Sequence, residues 1–153
     1  MRRFFTKNLI LILSLILLSL LFILWGRIII KEIQKNTHTH QLTTTEARVR
    51  CLALYGWEVD PAGETERFTT IPDPLDAVYI EYNRLQTVCG FDLSRYCGKR
   101  VACYGYPVLN FPYPTEEPVF VNLLVYEGRL IGGDCMSRAL DGFMLPLDRA
   151  YLP

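Results

Sequence analysis

Histidine is nearly absent from the chain, whose only two histidines are His38 and His40. Both lie before residues 43–153, where a folded domain is expected. A catalytic cysteine or serine usually depends on a nearby histidine, so this domain lacks the commonest Cys-His and Ser-His-Asp arrangements. His38 and His40 could share one side of an extended segment, but two ligands fall short of the three or four that zinc requires. We predict no metal and no cofactor, and we assign no catalytic residue.

Net charge and nucleotide-binding motifs are missing as well. The 16 Lys and Arg residues balance the 16 Asp and Glu residues, which argues against a generally cationic nucleic-acid binder. The pair Gly98-Lys99 has Leu93 where a phosphate-binding loop needs its first glycine, and Arg100 where it needs serine or threonine. We therefore predict no nucleic-acid partner and no nucleotide.

The five cysteines include no C-x-x-C pair. Their odd number leaves at least one thiol outside any intramolecular disulfide. The spacings between Cys89 and Cys97 and between Cys97 and Cys103 would allow one disulfide staple. The alternative is that Cys51, Cys89 and Cys135 are small buried hydrophobic residues, which is how cysteine commonly behaves.

A long uncharged run dominates the N-terminal part of the chain. Residues 8–26 carry no charge, and a helix of that length covers roughly 28 Å, close to the thickness of the hydrocarbon core of a bilayer. No A-x-A-like site follows the run, which disfavours a cleaved signal peptide. We predict a cytoplasmic tail over residues 1–7, a transmembrane signal-anchor helix over 8–30 and a linker over 31–42. The lipid bilayer is the partner expected for residues 8–30.

Basic residues flank this run in equal number on its two sides. They are Arg2, Arg3 and Lys7 before it and Arg27, Lys31 and Lys35 after it. The short leading tail favours a cytoplasmic N-terminus. We therefore expect a single-pass protein of the cell membrane, with an extracytoplasmic domain over residues 43–153.

Residues 43–153 predict one small two-layer α+β domain with its helices on one face of the sheet. Two helices, which end at Gly56 and Gly90, follow the caps Thr43 and Asp73. The strands are predicted at residues 57–60, 68–71, 100–108, 119–126 and 129–135, with Glu127-Gly128 as a hairpin turn. The predicted order is helix, strand, strand, helix and a three-stranded antiparallel meander.

Polar and aromatic side chains of this domain give a candidate binding groove. Tyr104 and Tyr106 share one side of their strand because successive strand residues alternate. With the polar residues that could border the same groove, the candidate binding residues are Tyr82, Gln86, Asp92, Tyr104, Tyr106, Asn110 and Asp134. A second hypothesis pairs carboxylates among Asp92, Asp134 and Asp141 for glycan hydrolysis. Gly132-Gly133 could approach a ligand, but a bulge or tight packing is favoured.

Several short motifs are spread over residues 48–147. They are Gly56-Trp57-Glu58-Val59, Tyr82-Asn83-x-Leu85-Gln86, Gly90-Phe91-Asp92-Leu93, Tyr96-x-Gly98-Lys99, Asn110-Phe111-Pro112, Ile131-Gly132-Gly133-Asp134 and Asp141-Gly142-Phe143-Met144. Together they resemble the bacterial domain-of-unknown-function family DUF4830. The resemblance implies the outer part of a small membrane-anchored protein of Gram-positive bacteria. It implies no activity, ligand or catalytic residue.

The predicted function is the display of an extracytoplasmic binding or regulatory domain by a single-pass membrane anchor, with an envelope protein or peptide as partner. The domain is expected to be non-catalytic. Two alternatives stay open. One is an extracytoplasmic enzyme that uses a thiol or paired carboxylates, and the other is a structural component of cell-envelope assembly.

Overall fold

The computed structural model describes residues 16–27, 41–139 and 141–152. The chain divides into two compact units, residues 1–37 and residues 38–153, and each is described by itself. The predicted cytoplasmic tail, His38, His40 and most of the predicted linker lie outside the described residues.

The helix of the first unit is described over fewer residues than the sequence predicts. Helix α1 is described over residues 16–27, a length that rises about 18 Å, whereas the hydrocarbon core of a bilayer is roughly 30 Å thick. In the described part of the chain, no helix combines the length and the apolar character needed to span a membrane. The transmembrane helix in the predicted fold is therefore wrong on this finding. Residues 8–15 and 28–30 of the predicted span lie outside the described residues.

The second unit is an α+β fold built on a five-stranded antiparallel sheet. Its strands follow the chain order, so each strand pairs with its neighbours in sequence. The strands are β1 Thr65–Thr70, β2 Arg100–Pro107, β3 Val119–Tyr126, β4 Arg129–Ser137 and β5 Met144–Pro146. Two helices, α2 Thr45–Leu54 and α3 Ala77–Val88, pack on this sheet.

The predicted three-stranded meander is the centre of this larger sheet. Residues 57–60 form no strand, and Val59 contributes only an isolated antiparallel bridge to Val108. Strand β1 pairs along β2 from Thr65 to Thr70, which extends the meander on one side. Strand β5 extends it on the other side. Its three residues are too few for an alternating pattern to reveal a strand.

The two helices lie on opposite faces of the sheet, so the prediction of two layers with both helices on one face is wrong. Helix α2 packs Cys51 and Leu52 into one buried cluster, which includes the strand residue Leu123. Helix α3 packs Tyr79 and Tyr82 against a second cluster, which includes Leu124. Successive strand residues alternate between faces, so β3 supplies apolar side chains to both clusters. We call these two faces the α2 face and the α3 face.

Local signals in the sequence set several element boundaries. Helices α2 and α3 end just before Gly56 and Gly90, as predicted. The Asp76 side chain accepts a hydrogen bond from the Tyr79 N–H at 2.8 Å and caps α3, three residues later than predicted. The predicted hairpin between β3 and β4 is confirmed. Its turn residues, Glu127 and Gly128, have φ values of 49° and 76°, as a type I′ turn requires.

Candidate functional site

A groove of about 670 Å³ opens between α3 and the sheet. Its volume lies within the range of roughly 300 to 1,000 Å³ that is usual for ligand pockets. Five apolar side chains of its lining come from α3 and from strands β3, β4 and β5. These side chains are Val78, Leu85, Leu124, Met136 and Met144. The groove therefore offers an apolar surface of the kind that small-molecule and peptide sites use.

The floor of the groove is a row of side chains that crosses the sheet. Arg67 of β1 lies opposite Cys103 of β2, and Cys103 lies opposite Leu124 of β3. At the far end Met136 of β4 lies opposite Met144 of β5. All five strands thus contribute to one surface, because residues directly opposite each other share a face of the sheet.

A buried polar cluster lies at the centre of this floor. The Asp134 side chain is only 3% exposed. Its carboxylate oxygens accept hydrogen bonds from the Tyr82 hydroxyl at 2.5 Å and from the Asn122 Nδ2 at 2.7 Å. Burial raises the pKa of Asp134, while these two hydrogen bonds and the nearby Arg67 charge act in the opposite direction. Burial and the neighbouring Asp134 charge raise the pKa of Tyr82 well above its ordinary value.

Gln86 attaches the next turn of α3 to β4. Its Oε1 accepts a hydrogen bond from the Gly133 N–H at 2.7 Å. A Cβ at Gly132 would lie 2.8 Å from this same oxygen and 3.3 Å from the Leu93 side chain, so the buried Gln86 side chain would have to shift. The register between β3 and β4 also shifts between Leu124 and Val125, which is typical of a β-bulge. Gly132 therefore serves close packing, the alternative that the sequence favours.

The groove contains one thiol, that of Cys103. Burial raises the pKa of Cys103, although the neighbouring Arg67 acts to lower it. Burial also raises the pKa of Cys135 to about 12. An activated thiolate requires a lowered pKa, so these two thiols have the opposite tendency. Cys97, which both predicted disulfide staples require, is a thiol in the structure, and neither staple is present.

Three of the seven candidate binding residues lie together. Tyr82 and Asp134 are hydrogen-bonded to each other in the groove. Gln86 lies one turn further along α3 and is buried beside them. These three side chains come from two elements that are about fifty residues apart in sequence, and only the packing of α3 on β4 brings them together.

The other four candidates lie elsewhere. Asp92 caps the turn over residues 93–96, where a hydrogen bond from the Ser94 hydroxyl at 2.6 Å is the main cause that lowers its pKa to about 2. Asn110 bridges the backbone of Gly56 and Glu58 with hydrogen bonds of 3.0 Å. Both side chains thus hold local backbone in place.

Tyr104 and Tyr106 lie on the α2 face, away from the groove. The Tyr106 hydroxyl accepts a hydrogen bond from Arg48 Nε at 2.8 Å and donates one to Glu64. Arg48 forms an ion pair with Glu64 at 2.8 Å, and its guanidinium lies 3.8 Å from the centre of the Tyr104 ring. This second polar cluster joins α2, the segment before β1, and β2.

Sequence reasoning missed several groove residues that the sheet register brings in. These residues are Arg67, Cys103, Met136 and Met144, and Asn122 supports the site from behind through its hydrogen bond to Asp134. Alternation along a strand could have placed Met136 on the same face as Asp134, because the two residues are two apart. The pairing of β1 with β2, which brings Arg67 into the groove, has no signal of this kind.

Comparisons with known proteins give one finding. The model of a family described as a domain of unknown function, DUF4830, matches residues 51–135, which is more than half of the chain. The matched residues begin in α2 and end in β4, so they include α3, Tyr82 and Asp134. No curated protein and no solved structure matches the chain.

Proposed function

The chain belongs to the DUF4830 family, a domain of unknown function, and on the geometry of its own residues we propose that the domain is a non-catalytic binding or regulatory module. The groove between α3 and the sheet is its ligand site. The observation that carries this proposal is the convergence of an apolar lining with the Asp134–Tyr82 hydrogen bond in one groove of suitable volume.

The polar cluster supports binding better than catalysis. Both oxygens of Asp134 are occupied by donors from the protein, and the carboxylate is buried. A general acid or base must reach the proton that it transfers, and this carboxylate instead holds α3 against the sheet. The raised pKa of Cys103 gives no support to a thiol-dependent enzyme either.

The domain is proposed to bind its ligand by apolar contact, with Arg67 at one end of the groove for polar selection. This proposal does not depend on where the domain is located in the cell. The extracytoplasmic location and the envelope partner stay predictions from the sequence.

The methionines provide a direct test of ligand binding in the groove. The chain has three, and two of them, Met136 and Met144, line the groove. We would label the methionine methyl groups with ¹³C and titrate the full chain with the apolar dye 1-anilinonaphthalene-8-sulfonate. Saturable shifts of the Met136 and Met144 methyl signals are the expected result.

Two surface variants make this test specific. Val78→Glu places a charge on the wall of the groove, at a side chain that is already 74% exposed, and is expected to abolish the shifts. Leu109→Glu changes a side chain that is 67% exposed and is not part of the groove lining, and is expected to leave the shifts unchanged. If the dye moves neither methyl signal, or moves both equally in the Val78→Glu variant, the groove is not the binding site.

A further inference from the structure

Strand β1 forms an open edge of the sheet within the described residues. It is the terminal strand in the sheet order, and most of its side chains are exposed. Alternate residues of an edge strand direct their N–H and C=O groups away from the sheet, where another strand can pair with them. The opposite edge, β5, is only three residues long and ends at Pro146, both of which hinder such pairing. Strand β1 has no proline and no bulge.

The open edge and the groove are continuous. Arg67, Phe68 and Thr69 belong to β1 and also line the groove. A strand added to β1 would place alternate side chains on the α3 face, directly opposite Arg67 and Thr69. The side chain opposite Thr69 would enter the groove where α3 presents Tyr79, whose hydroxyl lies 3.3 Å from the Thr69 hydroxyl. An extended backbone on β1 is thus already aligned to fill the groove.

Charge indicates the type of side chain that belongs opposite Arg67. Arg67 is exposed, and none of the ion pairs formed among the described residues involves it. Its neighbours in the groove are the Cys103 thiol, to which it is hydrogen-bonded, and the Asp134 carboxylate, whose two oxygens are already bonded to Tyr82 and Asn122. A side chain of opposite charge directly across two strands is favourable, whereas a like charge is not.

Repulsion between like charges also disfavours pairing of β1 with the β1 strand of a second copy of the chain in two symmetric registers. Two β1 strands related by a two-fold axis through Arg67 would place two guanidinium groups opposite each other. An axis through Glu66 would place two carboxylates opposite each other. An axis through Phe68 would pair Arg67 with Thr69 and has neither conflict, so light scattering must exclude this register. A peptide of different sequence also has neither conflict, and it can offer Arg67 an opposite charge.

We propose that β1 is the docking edge for an extended peptide, which pairs with β1 as a sixth strand. The peptide places an acidic side chain opposite Arg67 and an apolar side chain, two residues away, in the groove beside α3. Backbone pairing supplies affinity, and the two side chains supply specificity. This inference rests on the proposed function, because both use the same groove.

Synthetic peptides of about eight residues test the inference, since strands of this length are common. One set carries Leu, Val, Phe or Met and, two residues later, Asp or Glu, with Thr at the other positions, because antiparallel pairing puts the residue opposite Thr69 before the residue opposite Arg67. A control set has the acidic and the apolar residue adjacent, so that they point to opposite faces. In a second control set, the peptides of the first set carry methyl groups on the backbone amide nitrogens that would donate hydrogen bonds to β1. Fluorescein-labelled peptides are titrated with the full chain, and their anisotropy is measured.

We expect the first set to bind, and both control sets to bind at least roughly tenfold more weakly. Arg67→Glu should weaken binding by a similar factor, and a peptide with Lys in place of the acidic residue should recover binding to this variant. Arg95→Glu is the matched control variant, because Arg95 is exposed, pairs with Asp92 and lies outside the groove lining. It should bind the first set as the unchanged chain does.

The outcomes separate the two proposals. If no peptide binds at about 1 mM, or if amide methylation leaves the affinity unchanged, strand addition is wrong. When the dye still shifts Met136 and Met144 in that case, the groove remains the binding site. When the dye also fails, the proposed function is wrong as well. Light scattering of the chain alone tests whether a second copy of the chain occupies β1 instead. If the chain is a dimer and Thr69→Pro abolishes the dimer, β1 pairs with a second copy and the inference is wrong.

Discussion

Among the described residues, the buried charged side chains are those of Arg48 and Asp134, one on each face of the sheet. Arg48 is 5% exposed and is bonded to Glu64, Tyr106 and the carbonyl oxygen of Leu42. Asp134 is bonded to Tyr82 and Asn122. Arg48 is both ion-paired and hydrogen-bonded, whereas the buried Asp134 is held by two neutral hydrogen-bond donors. Each one therefore fixes the position of a helix on the sheet.

Arg48→Met is expected to lower the free energy of unfolding by about 2 to 4 kcal/mol, because it leaves Glu64 and Tyr106 without their buried partner. Urea denaturation followed by circular dichroism measures this loss. Arg84→Met is the control, since Arg84 and Glu81 form an exposed pair on α3. Its effect should stay below about 1 kcal/mol. Equal losses in the two variants would contradict the role given to Arg48.

Asp134→Asn should change the pH dependence of stability. Burial raises the pKa of Asp134 in the folded protein, so the folded state retains this proton to higher pH than the unfolded chain does. Ionisation of Asp134 therefore costs stability as the pH rises from its unfolded pKa of about 3.9 through its folded pKa. The Asn variant has no such loss. Relative to the unchanged chain, its free energy of unfolding should increase as the pH rises above about 4.

Asp92→Asn is the control, because the pKa of Asp92 is shifted in the opposite direction to that of Asp134. Hydrogen bonds, first that of the Ser94 hydroxyl, lower the pKa of Asp92 to about 2. Its contribution to stability is therefore present above the unfolded pKa and is lost as the pH falls toward 2. Between about pH 5 and pH 8 the difference between this variant and the unchanged chain should be constant. Urea titrations at several pH values measure both variants, and a flat difference for Asp134→Asn would contradict the assignment.

At the scale of elements, the turn between β3 and β4 holds a residue in an unfavourable conformation. Glu127 has a φ of 49°, a region that asparagine and glycine adopt far more readily than glutamate. We expect Glu127→Asn to raise the free energy of unfolding by about 0.5 to 1 kcal/mol. Thermal denaturation checks this gain. Glu127→Ala should give no gain, because alanine meets the same steric cost, and a gain of similar size in Ala would contradict the explanation.

The sequence predicts those elements whose signals are local. Strands β2, β3 and β4 are apolar-rich segments of eight or nine residues, and Glu127-Gly128 marks the turn between two of them. The prediction of a strand at residues 57–60 rests on four residues, too few to distinguish a strand from a single bridge. The layer to which each helix belongs has no local signal, because it depends on which face of β3 the helix covers.

The candidate site shows the same limit. Tyr82 and Asp134 could be selected as polar residues on patterned elements, and the structure bonds them together. Tyr106 has an equally suggestive pattern, yet its hydroxyl binds Arg48 and Glu64 on the other face. Only the register of β1 on β2 decides that Arg67 belongs to the groove, and register is a property of the assembled sheet.

At the scale of the whole molecule, the second compact unit begins before the predicted domain does. Leu42, the last residue of the predicted linker, is buried in the core of the α2 face. Its N–H donates to the Gly128 carbonyl oxygen at 2.8 Å, and its own carbonyl oxygen accepts from Arg48 Nη1 at 3.1 Å. The segment before α2 is thus part of the fold.

Two fragments test this boundary. Residues 38–153 should unfold at the same urea concentration as the full chain, because they form one compact unit. Residues 43–153 lack Leu42 and should be less stable by about 2 to 4 kcal/mol, the usual cost of removing a buried leucine side chain. Equal stability of the two fragments would show that the fold does not need Leu42.

Strand β3 has the most protected position in the domain, since it is hydrogen-bonded on both sides and is mostly buried on both faces. Water reaches its peptide groups only when both covering layers separate, which amounts to loss of the whole fold. In deuterium oxide the amide protons of β3 should therefore exchange more slowly than those of β1 or β5, as nuclear magnetic resonance can follow residue by residue. Their exchange rate would measure the global opening of the domain, and the two outer strands would measure fraying.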